Sequence, residues 1–370
     1  MSDRILIIAS GGPAVREYRI ARPARHLGIP HEIADLGKHT RAEDAKNAWH
    51  KWFVKNGTDF SLVWTNDYRN EWAAAGDAIR EMNGAPIIAD VDDHFRDVHT
   101  GNQARAAWFG KRKRMYNKLL EEADTVLCST PWLADHYGGQ IAPNFIDSED
   151  WSGPRRAKKR QDEVVICCPA GVGRVGDYAE LREPLKRALE LPHVKILFVG
   201  VMPSWSLGYP VGKVVYSRWI PMEKYGKVLN YYAPDIIVSP MLHNDFNLAK
   251  SNLKYLESGA VQAAFMGERW GEYERTVKDN KTGVLASGED EWTAKLLDLC
   301  TNHDKRTNIA NAGAKDVAEN WTWSAVKSAW EQGVLGDVAI TGKLAGRTDR
   351  RGRDLAAPGG QLSNAEAVCG

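Results

Sequence analysis

The chain has 370 residues, too many for one ordinary hydrophobic core and suited to two domains of about 150 residues each. Hydrophobic residues make up 43% and charged residues 26%, ordinary globular values that exclude a fibrous or wholly disordered chain. The net charge of +1 gives no global pull toward nucleic acid or membrane, so any polyanion contact has to be a local patch.

The first element, Ile5-Leu-Ile-Ile-Ala9, reads as a buried strand. It lacks the long apolar stretch and small-residue cleavage site of a signal peptide. A turn at Gly11-Gly12-Pro13 leads into a helical pattern over 14–27. Strand-like runs follow at 31–34, 62–65, 86–89 and 125–128, with helical patterns in most intervals. Strands alternating with helices predict a parallel sheet covered on both faces. The polar stretch SEDWSGPRRAKKRQDE closes this series and reads as a connection between domains. The boundaries expected are a first unit over 1–150, a linker over 151–163 and a second unit over 164–336.

The second unit repeats the alternation, with strands expected at 164–168, 195–199, 213–216, 235–239, 259–265 and 283–286. The fold class is therefore α/β, with two Rossmann-like parallel sheets. From 337 to 370, Gly, Ala, Arg and small polar residues without apolar periodicity predict a disordered tail. No window approaches 18 consecutive apolar residues, so no transmembrane segment is expected. The five cysteines are odd in number and form no C-x-x-C pair, and four sit in apolar runs. Buried free thiols in a reducing cytoplasm are the expectation.

The most informative stretch is Asp245-Phe-Asn-Leu-Ala-Lys-Ser-Asn-Leu-Lys-Tyr-Leu-Glu257. It follows a strand, and Ser251 or Asn252 can cap a helix whose apolar face is Leu253, Leu256 and Ala260. A helix start after a parallel strand attracts anions, because free N–H groups and the dipole point outward. Lys250 and Lys254 oppose that dipole unless an anion lies nearby, which is a functional hint. Glu257 falls on the face of both lysines, either as an acceptor for ribose hydroxyls or as a plain i, i+3 partner of Lys254. A second glycine-rich turn, Gly171-Val-Gly173-Arg174, follows the first strand of this unit and permits close approach of a ligand to the backbone.

The stretch 245–257 resembles the donor-binding signature of retaining GT-B nucleotide-sugar glycosyltransferases, in a variant where Phe-Asn-x-x-Lys-Ser replaces the first acid and the glycines. The resemblance covers roughly residues 1–330 and implies two Rossmann-like domains facing across a cleft. It implies that Glu257 binds the ribose, and that Ser251 and Asn252 cradle the diphosphate. Arg174 and Lys250 would neutralise that diphosphate, beside Gly171 and Gly173. Trp219, in Arg218-Trp-Ile-Pro-Met-Glu-Lys-Tyr225, would pack on the base. The usual first acid falls at Ala249, with Asp245 or Asn247 as substitutes. No cofactor or metal is required, and the donor substrate is a nucleotide-diphosphate sugar.

The first unit would hold the acceptor. Gly11 and Gly12 supply a turn, and Arg16 and Arg19 are placed to reach phosphates. Asp92, Asp93 and His94 follow a parallel strand, where open sheets bind ligands, and would orient the acceptor hydroxyl or stabilise a cationic sugar. The favoured acceptor is a glycan or lipid-linked glycan. Two basic runs, 105–118 with interleaved aromatics and 155–160, keep duplex DNA bearing hydroxylated bases and a peripheral membrane contact as alternatives. An inactive nucleotide-sugar-binding module is the alternative of another class.

Overall fold

The computed structural model describes residues 4–8, 13–34, 42–57, 60–66, 84–95, 98, 100, 102, 105, 111–155 and 162–336. Its first sheet has six parallel strands: β1 (Ile5–Ile8), β2 (His31–Ala34), β3 (Leu62–Thr65), β4 (Ile87–Val91), β5 (Thr125–Cys128) and β6 (Gln140–Ile141). They lie in the order β2-β1-β3-β4-β5-β6. The second sheet is also parallel and six-stranded: β7 (Val164–Ala170), β8 (Val194–Gly200), β9 (Val214–Ser217), β10 (Ile236–Ser239), β11 (Ala264–Glu268) and β12 (Val284–Ala286). Its order is β12-β11-β10-β7-β8-β9.

Each central strand is buried on both faces, which is why its sequence is continuously apolar rather than alternating. In β1, Leu6 and Ile8 enter one core cluster, while Ile5 and Ile7 enter the cluster on the opposite face. In β7, Val164, Ile166 and Cys168 face one layer, and Val165 and Cys167 the other. The four described cysteines are buried and free.

The strand orders fix where ligands can bind. The first sheet reverses direction between β1 and β3, and the second between β7 and β10. At such a switch point, the loops leaving the carboxyl ends of adjacent strands part to opposite faces and leave a crevice.

Two departures from the sequence reading have local causes. Gly259 was expected in a strand, yet it lies in the helix Leu253–Ala260, and the strand begins at Ala264. At Gly259 the absent side chain lets the helix His303–Asn320 approach, because a Cβ there would sit 2.5 Å from Val317. The second departure is at the end of the second unit. The helix Trp323–Trp330 and the turn to Leu335 return to the first domain. Val326, Trp330 and Val334 recur every four residues and need an apolar cover, which Ile5, Ile7 and Trp64 provide. The indole of Trp330 also donates to the Pro143 carbonyl at 3.0 Å. Among the described residues no helix is long and apolar enough to cross a membrane.

Candidate functional site

A cavity of about 270 Å³ opens where the two switch points face each other. Pro169, Ala170 and Gly171, at the end of β7, line it, with Val199 and Gly200 at the end of β8. Lys250, Ser251, Lys254 and Glu257 reach it from the segment after β10, while Ala14, Tyr18 and Asp92 face them from the first domain. Gly200 holds φ +89°, and a Cβ there would collide with the Ala170 carbonyl at 2.4 Å. That glycine keeps the ends of β7 and β8 close and leaves room for Trp219.

Glu257 is 1% exposed and is the deep carboxylate of the cavity. The Tyr225 hydroxyl donates to its Oε2 at 2.8 Å, and Lys254 Nζ lies 2.9 and 2.7 Å from its two oxygens. Both readings of the residue therefore meet in one place: Glu257 pairs with Lys254, and both groups line the cavity. Burial, and next the charge of Glu257, push the Tyr225 phenol well above its ordinary range, so it stays a donor. Trp219 forms an exposed wall, its ring 4.0 Å from where a Gly171 Cβ would stand.

Arg174 also lines the cavity. Its Nη2 donates to the Pro240 carbonyl at 2.7 Å and its Nε lies 2.5 Å from Asp177 Oδ2. Gly173, beside it, packs on Asn102 of the first domain, where a Cβ would come within 3.0 Å of Oδ1.

The helix Leu253–Ala260 begins at Asn252, whose side chain makes no capping bond, and Asn252 is 2% exposed and outside the cavity wall. Ser251 does line the cavity, and its Oγ accepts from Asn144 Nδ2 at 2.9 Å, a contact between the domains. Neither side chain caps the helix as expected, and the Tyr255 N–H donates instead to the Asn252 carbonyl at 2.8 Å. Lys250 crosses the cleft to pair with Asp93 and lies 4.1 Å over the Phe246 ring. Ala249, at the position of the usual first acid, is fully buried and packs in a core cluster of the first domain. Asn247 is no substitute for that acid at the cavity. It is 1% exposed, and its Nδ2 donates to Asp177 and to the Leu242 carbonyl.

On the facing domain the three residues after β4 have separate fates. Asp92 lines the cavity. Burial first, and next the negative charge of Asp93, raise its carboxyl above the usual range, against the pull of Arg19 and Lys250. Asp93 holds Lys250. His94 does not reach the cavity: it is 6% exposed, its Nδ1 lies 2.7 Å from the Tyr137 hydroxyl, and its ring packs against Trp132 and His136. The expectation that His94 orients an acceptor is corrected by that aromatic packing.

Arg19 is corrected more sharply. It was expected to reach phosphates, but it is fully buried. Its guanidinium makes two 3.0 Å bonds to Asp90, donates to Ala142 and Asn144, and lies 4.7 Å over Trp330. A buried cation needs such a full partner set, and this one joins β4, the 142–144 segment and the returning C-terminal helix. Arg16 ends the short helix Pro13–Arg16 and is half-buried. Gly11 and Gly12 lie outside the described residues, as do Trp108, Phe109, most of the linker's basic run and the 337–370 tail. Among the described residues no group of three or more His, Cys, Asp or Glu side chains is placed to hold a metal ion.

Four contributors were not singled out from the sequence: Tyr18, Tyr225, Tyr273 and Asp177. The tyrosines line the cavity, and Asp177 sits behind Arg174. Tyr225 ends the quoted segment 218–225 and Asp177 follows closely on the glycine-rich turn at 171–174, so their proximity to the site was readable, but their partners were not.

The chain's likenesses to known proteins fall on this geometry. The Glycosyl transferase-like family matches residues 174–332, the part that carries Arg174, the 245–257 stretch and Tyr273. The GDP-mannose-dependent alpha-(1-6)-phosphatidylinositol monomannoside mannosyltransferase of Mycolicibacterium smegmatis is 22% identical over 297 residues, 71% of this chain and 75% of that one. Among solved structures, HepE of Anabaena in complex with UDP and glucose superposes with a TM-score of 0.64 at 13% identity, covering 91% of this chain and all (100%) of that one. Sucrose-phosphate synthase of Thermosynechococcus elongatus gives 0.65 at 15% identity, covering 92% and 100%. The two facing parallel-sheet domains are those of the GT-B fold, and the Glycosyl transferase-like match over residues 174–332 falls on the second of them.

Proposed function

We propose that the chain moves a hexose or related sugar from a nucleotide-diphosphate sugar to a hydroxyl of a glycan or lipid-linked glycan, with retention at the anomeric carbon. The observation that carries this reading is the one cavity in which Glu257, Lys254, Arg174 and Ser251 from one domain face Asp92 from the other. Glu257 and Tyr225 hold the ribose, and Trp219 covers the base. Arg174, Lys254 and Lys250 meet the diphosphate, whose charge grows as the glycosidic bond breaks. Fixed cations in a half-enclosed site stabilise that charge without reorganising. Asp92 faces the sugar carbon as it becomes cationic. The mannosyltransferase relative acts, by its name, on a phosphatidylinositol mannoside. That supports a lipid-linked glycan as acceptor class.

The test is a panel of UDP-, GDP-, ADP- and dTDP-sugars incubated with the purified chain, with and without lipid-linked and soluble glycans. Transfer that yields a product of the donor's anomeric configuration by NMR is expected. Ligand binding without turnover on any acceptor would replace the reading with an inactive binding module. Transfer only to duplex DNA carrying hydroxylated bases would replace the acceptor class.

A further inference from the structure

Resting on that reading of the cavity, we propose that Asp177 is a positioning residue that sets Arg174 and the loop after β10 as one diphosphate-binding unit. Asp177 is 5% exposed and sits behind the cavity wall. Its Oδ2 lies 2.5 Å from Arg174 Nε. Its Oδ1 accepts from Asn247 Nδ2 at 2.8 Å and from the Leu242 backbone N–H at 3.2 Å. Arg174 closes the ring by donating from Nη2 to the Pro240 carbonyl at 2.7 Å. Asn247 adds a bond to the Leu242 carbonyl at 2.9 Å.

Two segments far apart in the chain are thus fixed by one carboxylate: the turn 171–177 and the loop 240–247 that delivers Lys250 and Ser251 to the cavity. The contacts use Nε and Nη2 of Arg174 and leave Nη1 out of both. A guanidinium on a long, flexible stem loses several rotors when it binds, and a partner that holds the fork in advance removes part of that cost. The anionic partner also keeps the guanidinium tolerable in a buried setting before any phosphate arrives. Asp177 touches no substrate; it acts through Arg174 and the loop.

The experiment compares D177N, R174M and the double variant by calorimetry. The probes are the nucleoside diphosphate that the wild-type chain binds in a UDP, GDP, ADP and dTDP panel, and its parent nucleoside. Asn at 177 keeps an acceptor for Asn247 and Leu242, but puts an amide NH2 in place of the anionic oxygen beside Arg174 Nε, so the charge that holds Arg174 is lost and a donor faces it. A rise of about tenfold in the diphosphate Kd is expected for D177N, with the nucleoside Kd within about twofold of wild type. The double variant should bind the diphosphate no worse than R174M alone, because Asp177 acts through Arg174. Equal weakening of both probes, or additive losses in the double variant, would mean a general structural role and would overturn the proposal. An unchanged diphosphate Kd in D177N would overturn it too. Where D177N fails to fold, D177E supplies the charge at a longer reach. Diphosphate affinity within about threefold of wild type supports the clamp, because the charge beside Arg174 is kept, and loss of diphosphate affinity in a folded D177E overturns it. Equal weakening of both probes in D177E overturns it. Wild-type chain that binds none of the diphosphates overturns the reading of the cavity itself, and this proposal with it.

Discussion

At the scale of single residues, the cavity separates groups that bind from groups that brace. Glu257 is the sharpest case, since it is buried, charged and shared between Tyr225 and Lys254. In the reading proposed above, Glu257→Ala removes the ribose acceptor, and it takes from Lys254 its carboxylate partner. Nucleotide affinity should fall by about 10–100-fold, the cost of one lost charge-assisted pair of hydrogen bonds. Unchanged affinity in a calorimetric titration would remove the residue from the site. Asp92 carries the pH prediction. Its carboxyl is raised by burial and by Asp93, so it takes up a proton at higher pH than an exposed aspartate would. In the reading proposed above, the ionised form is the one that stabilises a cationic sugar. The rate should therefore fall as pH drops through that raised pKa, with the acid limb displaced upward from the ordinary value near 3.9. Asp92→Asn should lower kcat by about 10²–10³-fold and flatten the limb; a variant that keeps the wild-type limb would clear Asp92 of this role. Sequence made some of this legible. Arg174, Trp219, Lys250, Ser251 and Glu257 all reach the cavity, because strand ends and a helix start dictate where those residue types point. Arg19 was misread for a physical reason: its partner Asp90 lies 71 residues away, and an arginine on a helical stretch gives no local sign that its charge is spent internally.

At the scale of elements, the strands were readable and their partners were not. Runs such as Ile5–Ile8 and Val164–Ala170 are apolar at every position, the mark of a strand covered on both faces. The two-residue β6 gives no such run, and both its residues are exposed. The helix Trp323–Trp330 looks in sequence like any closing helix of the second unit. Only the first sheet's uncovered face shows where its stripe belongs. Glycine turns are legible as turns, but which one is indispensable depends on neighbours. Gly200 is that one in the second sheet: its φ is +89°, and its Cβ would meet the Ala170 carbonyl at 2.4 Å. Gly200→Ala should destabilise the chain by about 2–4 kcal/mol, the sum of left-handed strain and overpacking against backbone that cannot yield. Denaturant unfolding checks it, and a loss below about 0.5 kcal/mol would show that the strand end relaxes freely. The same variant should weaken nucleotide binding, because β7 and β8 end in the cavity wall.

At the scale of the whole molecule, several described groups reach across the cleft, and one of them is also a diphosphate ligand in the reading proposed above. Lys250 pairs with Asp93, Ser251 accepts from Asn144, and Gly173 packs on Asn102. The ion pair spans the cleft from a loop of the second domain to the end of β4 in the first. The Lys250 ammonium has three donors but a single positive charge, which Asp93 neutralises before any phosphate arrives. In the proposed reading, donor binding weakens the bridge, and the two ends of the bridge should respond to mutation with opposite signs. Lys250→Met removes a cation from the phosphate site, and the Kd for nucleoside diphosphate should rise by about 5–30-fold. Asp93→Asn leaves Lys250 in place without its competitor, so the same Kd should fall by about 2–5-fold. A bridge that served only to join the domains would give changes of the same sign in both variants, because either one breaks it. Calorimetry with the wild-type chain, the two variants and the double variant distinguishes these cases. In the double variant the gain from Asp93→Asn should vanish, since the cation it frees is no longer there.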